Sequence, residues 1–363
     1  MRTPLDPTSP LNDELLSAIS ETIHEFLEQQ RPILDEIGTP DLLPVARQAT
    51  AGGKRLRPAF CYWGYVAAAG QPADQGPLLA VASSLDLLQG SALVHDDLID
   101  DSDTRRGLPS AHKVFEALHA QRGGRGSAPE FGTSAAILLG DLLLMWSIEM
   151  ADGSGASGLD RARPHLSAVR TEVTAGQFLD ISAQYEITGA STFEEELDVA
   201  RRILEYKSAS YSIRRPALIG AALGGADEQL MGALGEFGSV IGRAFQLRDD
   251  VLGVYGDPEV TGKPHGGDIH EGKRTVLVLT ALANASEQEA KELDDMLGTV
   301  GLTDTDIDRA AEIIESTGAR AHVDELIEAN MRHALSVLDN ASMTDDGRIA
   351  LAELAERSVK RAH

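Results

Sequence analysis

LNDELLSAISETIHEFLEQQ, residues 11–30, sets Leu15, Ile19, Ile23 and Leu27 four apart, with Glu and Gln taking the opposite side. Because 3.6 residues complete a helical turn, this recurrence gathers the apolar side chains on one face. Comparable patterning predicts helices over 58–69, 75–100, 134–151, 159–185, 193–223 and 227–255, then several short ones after Arg274. No segment alternates with the period of a strand. Composition agrees, with 42% hydrophobic residues but only 4% aromatic, whereas strands favour aromatic and β-branched side chains. The expected fold is all-α, a single-domain helical bundle.

The breaks between helices carry further expectations. Residues 1–10 hold three prolines and are expected to form a disordered arm, leaving 11–363 as one domain without linker or repeat. QRGGRGSAPEFG, residues 121–132, is unpatterned and reads as a mobile surface loop. GDPEVTGKPHGGDIHEGKR, residues 256–274, is also broken by Gly and Pro, yet it carries Lys263, Asp268 and Lys273. A long charged loop inside a helical domain points to function.

With 57 acidic and 32 basic residues the net charge is −25, which argues against a general nucleic-acid binder, since that function rests on Lys and Arg neutralising phosphates. Any anionic ligand must be met by local cations, and the surplus acid keeps the surface soluble. Cys61 is the one cysteine, so no intramolecular disulfide or Cys cluster for zinc can form; its apolar neighbours suggest a buried thiol, and a cytoplasmic setting is expected. The N-terminus lacks a basic region followed by an apolar stretch. Apolar runs such as 135–139 and 276–279 fall far short of the ~18 residues of a membrane helix, so neither signal peptide nor membrane span is expected.

LVHDDLIDDSDTRRG, residues 93–107, crowds five carboxylates and then reverses sign. On a helix Asp96 and Asp100 lie about 40° apart on one face, a turn from each other. Side-by-side carboxylates repel unless a cation sits between them, and oxygen ligands without His or Cys suit a hard ion, magnesium above all. The stretch by itself leaves open a solvated helix end; it lacks the Gly and closing Glu of a calcium loop. FQLRDDVLGVYGD, residues 245–257, repeats the theme with Asp249 and Asp250. Two such segments facing each other across a cavity could hold metal ions and a diphosphate between them.

Basic clusters accompany the acids: GGKRLRP at 52–58, RRG at 105–107, EYKSASY at 205–211, and the 263–273 loop. Arginine's fork matches phosphate oxygens and lysine acts as a point charge, although such residues also serve merely to complement helix ends. Together they suggest two anion sites, one bridged by metal at the aspartates and one held by cations such as Lys54 and Arg57.

Across about 52–275 the ordered motifs GGKRLRP, LVHDDLIDDSDTRRG, GQFLDI with YKSASY, and FQLRDDVLGVYGD followed by GKP and GKRT resemble those of trans-type prenyl diphosphate synthases, most closely bacterial geranylgeranyl diphosphate synthases. The resemblance implies an isoprenoid-synthase bundle around a deep central cavity, usually a homodimer. It implies Asp96, Asp97, Asp100, Asp249 and Asp250 as ligands of Mg2+, three ions per site with Mn2+ as a substitute. Arg105, Lys207, Lys263 and Lys273 would contact the allylic diphosphate (dimethylallyl, geranyl or farnesyl). Lys54, Arg57, Arg106 and Gln89, where many relatives have His, would hold isopentenyl diphosphate. Lys207, Ser208 and Gln246 would set dipoles near the allylic cation, and Gln177 and Asp180 would line the cavity. The implied reaction is ionisation, condensation and elimination, the proton passing to the released diphosphate. One departure stands out: DDVLG puts Gly253 where the family usually has a last Asp, with Asp257 or Asp268 as candidates to compensate.

The growing chain is expected to run down the helix bearing Asp96, so Ser91 and Ala92, one turn deeper, bear on product length. Both are small, which leaves the cavity open and points to a C20 product, with C15, C25 or longer as alternatives and the floor at bulky residues such as Met145 or Trp146. Close helix packing is the other reading of Ser91 and Ala92. Among rivals, a class I terpene cyclase or a head-to-head squalene or phytoene synthase would not need GGKRLRP, RRG and the second DD. A non-catalytic regulatory subunit would be expected to have lost more of these motifs than Gly253.

Overall fold

The computed structural model describes residues 4–256 and 265–360; Lys263 and Asp257 lie outside the described residues. Its elements in chain order are α1 (Asp13–Gln29), α2 (Arg31–Ile37), α3 (Leu42–Thr50), α4 (Leu56–Ala69), α5 (Gly76–Ile99), β1 (Thr104–Arg105), β2 (Leu108–Pro109), α6 (Ala111–Gln121), α7 (Ala128–Asp152), α8 (Leu159–Gln184) and α9 (Phe193–Ile203). A π-helix (Leu204–Arg214) leads directly into α10 (Arg215–Gly224), followed by α11 (Glu228–Tyr255) and α12 (Gly267–His270). The chain closes with α13 (Val276–Asn284), α14 (Glu287–Met296), α15 (Asp304–Ser316), α16 (Ala319–Asn340) and α17 (Asp345–Val359). The fold is all-α; the two short strands form only an antiparallel ribbon pairing Thr104 with Pro109.

Local chemistry sets several boundaries. The Asn12 side chain accepts from the Leu15 amide at 2.9 Å and starts α1, while Thr192 and Glu195 form a capping box that starts α9. On α1 Leu15, Ile19, Ile23 and Leu27, the face the sequence marked out, are buried together with Ala18 and Phe26. α4 packs on α10, α5 on α7, and α11 on the π-helix and α16. Trp63, Tyr62, Phe60 and Phe237 are the largest fully buried side chains. Burial of an apolar side chain of this kind contributes roughly 1.5–3 kcal/mol.

Three expectations change. Residues 4–10 do not stand off as an arm: Leu5 is buried in the core, its carbonyl accepts from Gln71 at 2.9 Å, and the Pro10 carbonyl accepts from Trp63 Nε1 at 3.0 Å. Pro cannot donate a backbone hydrogen bond, but its carbonyl still accepts one. The loop at 121–132 is shorter than expected, because Ser127 caps Ala128 and Pro129 begins the first turn of α7. Finally, α5 and α7 are long and apolar enough to cross a membrane by length and composition. α5 is mostly inside the protein, whereas α7 exposes Ile137, Leu138, Met145 and Ile148. Met145, 56% exposed, therefore faces outward and is no cavity floor; Trp146, beside it, is buried.

Candidate active site

The first acidic motif ends α5. Asp96 and Asp100 are half-buried on one face, whereas Asp97, about 100° further round, turns inward. Arg105 Nε donates to Asp97 Oδ1 at 2.7 Å, and its Nη2 also bonds this oxygen and lies 3.7 Å from Asp96 Oδ2. Burial, followed by the charge of Asp96, pushes the Asp100 carboxyl up to about 6, with Lys273 and Lys207 opposing the rise. Those two lysines belong to other elements, so cations from the π-helix and from the segment after α12 converge on the end of α5.

The π-helix is clasped on both sides. A Cβ at Gly176 on α8 would fall 2.5 Å from the Lys207 amide, and one at Gly242 on α11 would fall 2.6 Å from the Ala209 Cβ. Close approach of both helices brings Lys207 to Asp180, whose carboxylate accepts from its ammonium, and Gln177 Nε2 to Asp96 Oδ1 at 3.0 Å. π-helical turns recur at functional sites. The sequence reading treats 193–223 as one α-helix, since a π-helix has the same polar and apolar residue types.

On α11, Asp249 is half-buried, and Asp250 is buried with Gln246 Nε2 donating to it at 2.7 Å. Among the described residues no three His, Cys, Asp or Glu side chains already surround a single point. The carboxylates instead form two walls.

GGKRLRP forms the turn into α4. Arg55 takes a left-handed conformation, with φ 52°, and its guanidinium bonds the Thr50 carbonyl at 2.9 Å and Asp86 at 2.7 Å. Asp86 is buried within α5; burial pushes its carboxyl up, and the charges of Arg55, Arg57 and Arg106 oppose this. Arg57 donates to Ser212 Oγ at 2.9 Å and stacks 4.0 Å above the Tyr211 ring. Arg106 Nη1 donates to the Ala51 carbonyl at 2.7 Å, so it joins this cationic group while its neighbour Arg105 joins the acids. Arg105, Arg106 and Asp97 also line a cavity of about 210 Å³ whose wall is otherwise largely apolar, with Val45, Leu93 and Val94. Lys54 is exposed at the same turn, and Gln89 is half-buried one turn past Asp86. Ser91 is buried, Ala92 is half-buried, and Ser208 is half-buried on the π-helix.

Asp86 was missed in the sequence. Its signal was there, a lone carboxylate in the apolar run PLLAVASSLDLLQGSALV, where an unpaired charge would be costly.

Two acidic walls, lysines converging on the first, and a separate arginine group on an all-α frame define an isoprenoid-synthase type of helical protein. The sequence model for polyprenyl synthetase matches residues 40–314, and the chain belongs to that family; it is a prenyltransferase. It is 33% identical over 347 residues to a short chain isoprenyl diphosphate synthase of Methanothermobacter thermautotrophicus, covering 93% of this chain and 95% of that one. It is 32% identical over 318 residues to a geranylfarnesyl diphosphate synthase of Aeropyrum pernix, covering 85% and 90%. A crystal structure of geranylgeranyl pyrophosphate synthase from Corynebacterium glutamicum, complexed with isoprenyl diphosphate and magnesium, superposes with a TM-score of 0.90 at 38% identity, over 96% and 99% of the two chains.

Proposed function

We propose that this protein elongates an allylic diphosphate with isopentenyl diphosphate to a C20 product. The observation that carries the reading is the divergence of Arg105 to the aspartates and Arg106 to the Arg55–Arg57 turn, which supports one diphosphate site at each. Asp96 and Asp100 on α5 and Asp249 on α11 would hold magnesium. Their donor set is hard oxygen, and the like-charge pair Asp96 and Asp100 is the kind of arrangement a divalent cation relieves. Magnesium, when bound, supplies positive charge to the departing diphosphate. Asp97 and Asp250, expected as ligands too, are held by Arg105 and Gln246 and would take part in the same two metal-binding groups.

In the reaction the allylic C–O bond breaks and diphosphate leaves with its electron pair. Lys207, Lys273 and Arg105 stabilise that charge. The double bond of isopentenyl diphosphate, gripped by Lys54, Arg57, Arg106 and Gln89, attacks the allylic cation, and the released diphosphate takes the proton. Lys207, Ser208 and Gln246 would present dipoles to the cation, with Gln177 and Asp180 lining the cavity. Lys263 would join the first diphosphate site. The buried Ser91 and half-buried Ala92, both small, support the C20 length. The geranylfarnesyl relative favours C25 as the second reading.

The outward apolar face of α7 would pair two copies into a homodimer rather than enter a membrane, and the reduced, buried Cys61 fits a cytoplasmic setting. The test is incubation of the purified chain with isopentenyl diphosphate, Mg2+ and each of the C5, C10 and C15 primers, followed by product sizing. A C20 prenyl diphosphate is expected; no elongation from any primer overturns the reading in favour of a regulatory subunit.

A further inference from the structure

Gly253 sits one turn beyond Asp249 on α11, and the space in front of it is filled from elsewhere. A Cβ built at Gly253 would fall 2.1 Å from Oδ2 and 2.3 Å from Cγ of Asp268. The Asp268 carboxylate therefore stands where a side chain at 253 would begin. It is delivered by α12, a single turn whose Ile269 carbonyl accepts the Gly298 amide at 2.9 Å, which ties the turn to the end of α14. Asp268 is buried, and Lys273 Nζ lies 3.7 Å from its Oδ1. Lys273 also pairs with Glu271 and feels the charge of Asp100 on the opposite wall. Asp268 thus lies against the second motif at Gly253 and is linked through Lys273 to Asp100 of the first, and burying its carboxylate so close to α11 is costly unless cations share the site.

We propose that Asp268 is the third carboxylate of the second acidic wall, presented to the metal-bound diphosphate across Gly253 from α12, with glycine required at 253 to admit it. The inference rests on the magnesium-dependent reading above. Position 253 and Asp268 then form one complementary unit: a side chain on either backbone occupies the same volume, and only one fits.

The test is calorimetric titration of inorganic diphosphate into the full-length protein at graded Mg2+, with the fold of each variant checked by circular dichroism. Asp268→Asn keeps the volume and removes the charge; it should raise the Mg2+ needed for half-maximal binding about 10- to 100-fold, the scale seen when a metal site loses a supporting group. Asp249→Ala should shift it in the same direction. Gly253→Asp alone should weaken binding by steric conflict, and Gly253→Asp combined with Asp268→Gly should recover most of the loss. If Asp249→Ala shifts the Mg2+ dependence and Asp268→Asn does not, this inference fails and the metal site stands. If neither shifts it, the metal reading itself fails. A well-folded paired variant as weak as Asp268→Asn also overturns the proposal.

Discussion

Arg105 and Arg106 are adjacent in sequence and serve opposite partners: Arg105 Nε donates to Asp97 at 2.7 Å, while Arg106 Nη1 reaches back to the Ala51 carbonyl at 2.7 Å. The β1–β2 ribbon makes this possible. Its tight turn, with Arg106 at φ 54° and Gly107 at φ 75°, sends successive side chains apart. A non-glycine residue such as Arg106 in this conformation costs about 1–3 kcal/mol and persists where surrounding contacts hold it.

From that divergence the two arginines should be separable by kinetics. Arg105→Ala should impair use of the allylic diphosphate, and Arg106→Ala should raise KM for isopentenyl diphosphate. Loss of a hydrogen bond to a charged group, about 1.5–3 kcal/mol, corresponds to roughly 10- to 100-fold in each case. Steady-state kinetics with one substrate varied at a time gives the answer. Identical effects on both substrates would sink the two-site division.

Asp86 should be a stability residue as much as a binding one. It is paired with Arg55 at 2.7 Å, both side chains being almost wholly buried. Removing one partner of a buried ion pair typically costs about 3–5 kcal/mol, because the other charge is left behind. Asp86→Ala should therefore lower the urea midpoint strongly, and Asp86→Asn should weaken isopentenyl diphosphate binding by loosening Arg55, Arg57 and Arg106. An Asp86→Ala protein with wild-type stability would contradict this account.

Much of this was legible in the sequence, but unevenly. Leu15, Ile19, Ile23 and Leu27 disclosed a helix because each is a repeat of one local rule, and all four are buried. The aspartates stand out by their spacing, yet a single acidic stretch leaves a solvated helix end open, and it takes the second pair at Asp249 and Asp250 to point to a shared site. What local pattern cannot convey is how two distant segments interlock. Nothing near Lys207 announces the π-helix, which coincides with the close approach of Gly176 and Gly242 on neighbouring helices. Residues 4–10 were misread for the same reason, because their hydrogen bonds come from Trp63 and Gln71, more than fifty residues away. The sequence offers both Asp257 and Asp268 as compensation for Gly253, and only the structure shows that the Asp268 carboxylate stands against Gly253.

Ser91→Phe should shorten the product. Ser91 is buried on α5, five residues before Asp96, and a phenyl ring there would intrude on the path expected for the growing chain. Chromatographic sizing of the products should show a shift from C20 towards C15. An unchanged distribution would place the depth limit elsewhere, with the buried Trp146 as the next residue to alter.

The thiol of Cys61 should be inert in the folded protein. It is fully buried on α4, and burial pushes its pKa far above the ordinary thiol range, so almost no thiolate forms near neutral pH. A thiol-specific reagent should label the native protein at the rate of global unfolding and label it rapidly in denaturant. Fast native labelling would mean that α4 opens locally, contrary to its packing on α10.

The exposed face of α7 gives the last prediction. Leu138 is 65% exposed, and with Ile137, Met145 and Ile148 it forms an apolar surface on a helix whose opposite side packs on α5. Exposed apolar area of this kind is characteristic of a protein contact. Leu138→Glu adds a charge to a contact meant to exclude water, and in a symmetric pair every substitution is met twice. Sedimentation velocity should show the wild type as a dimer and Leu138→Glu shifted towards monomer, with the helical circular dichroism signal retained because Leu138 supports no part of the protomer core. A wild-type protein that sediments as a monomer at micromolar concentration would remove the reason for this face, and a Leu138→Glu dimer of unchanged stability would place the contact on another surface.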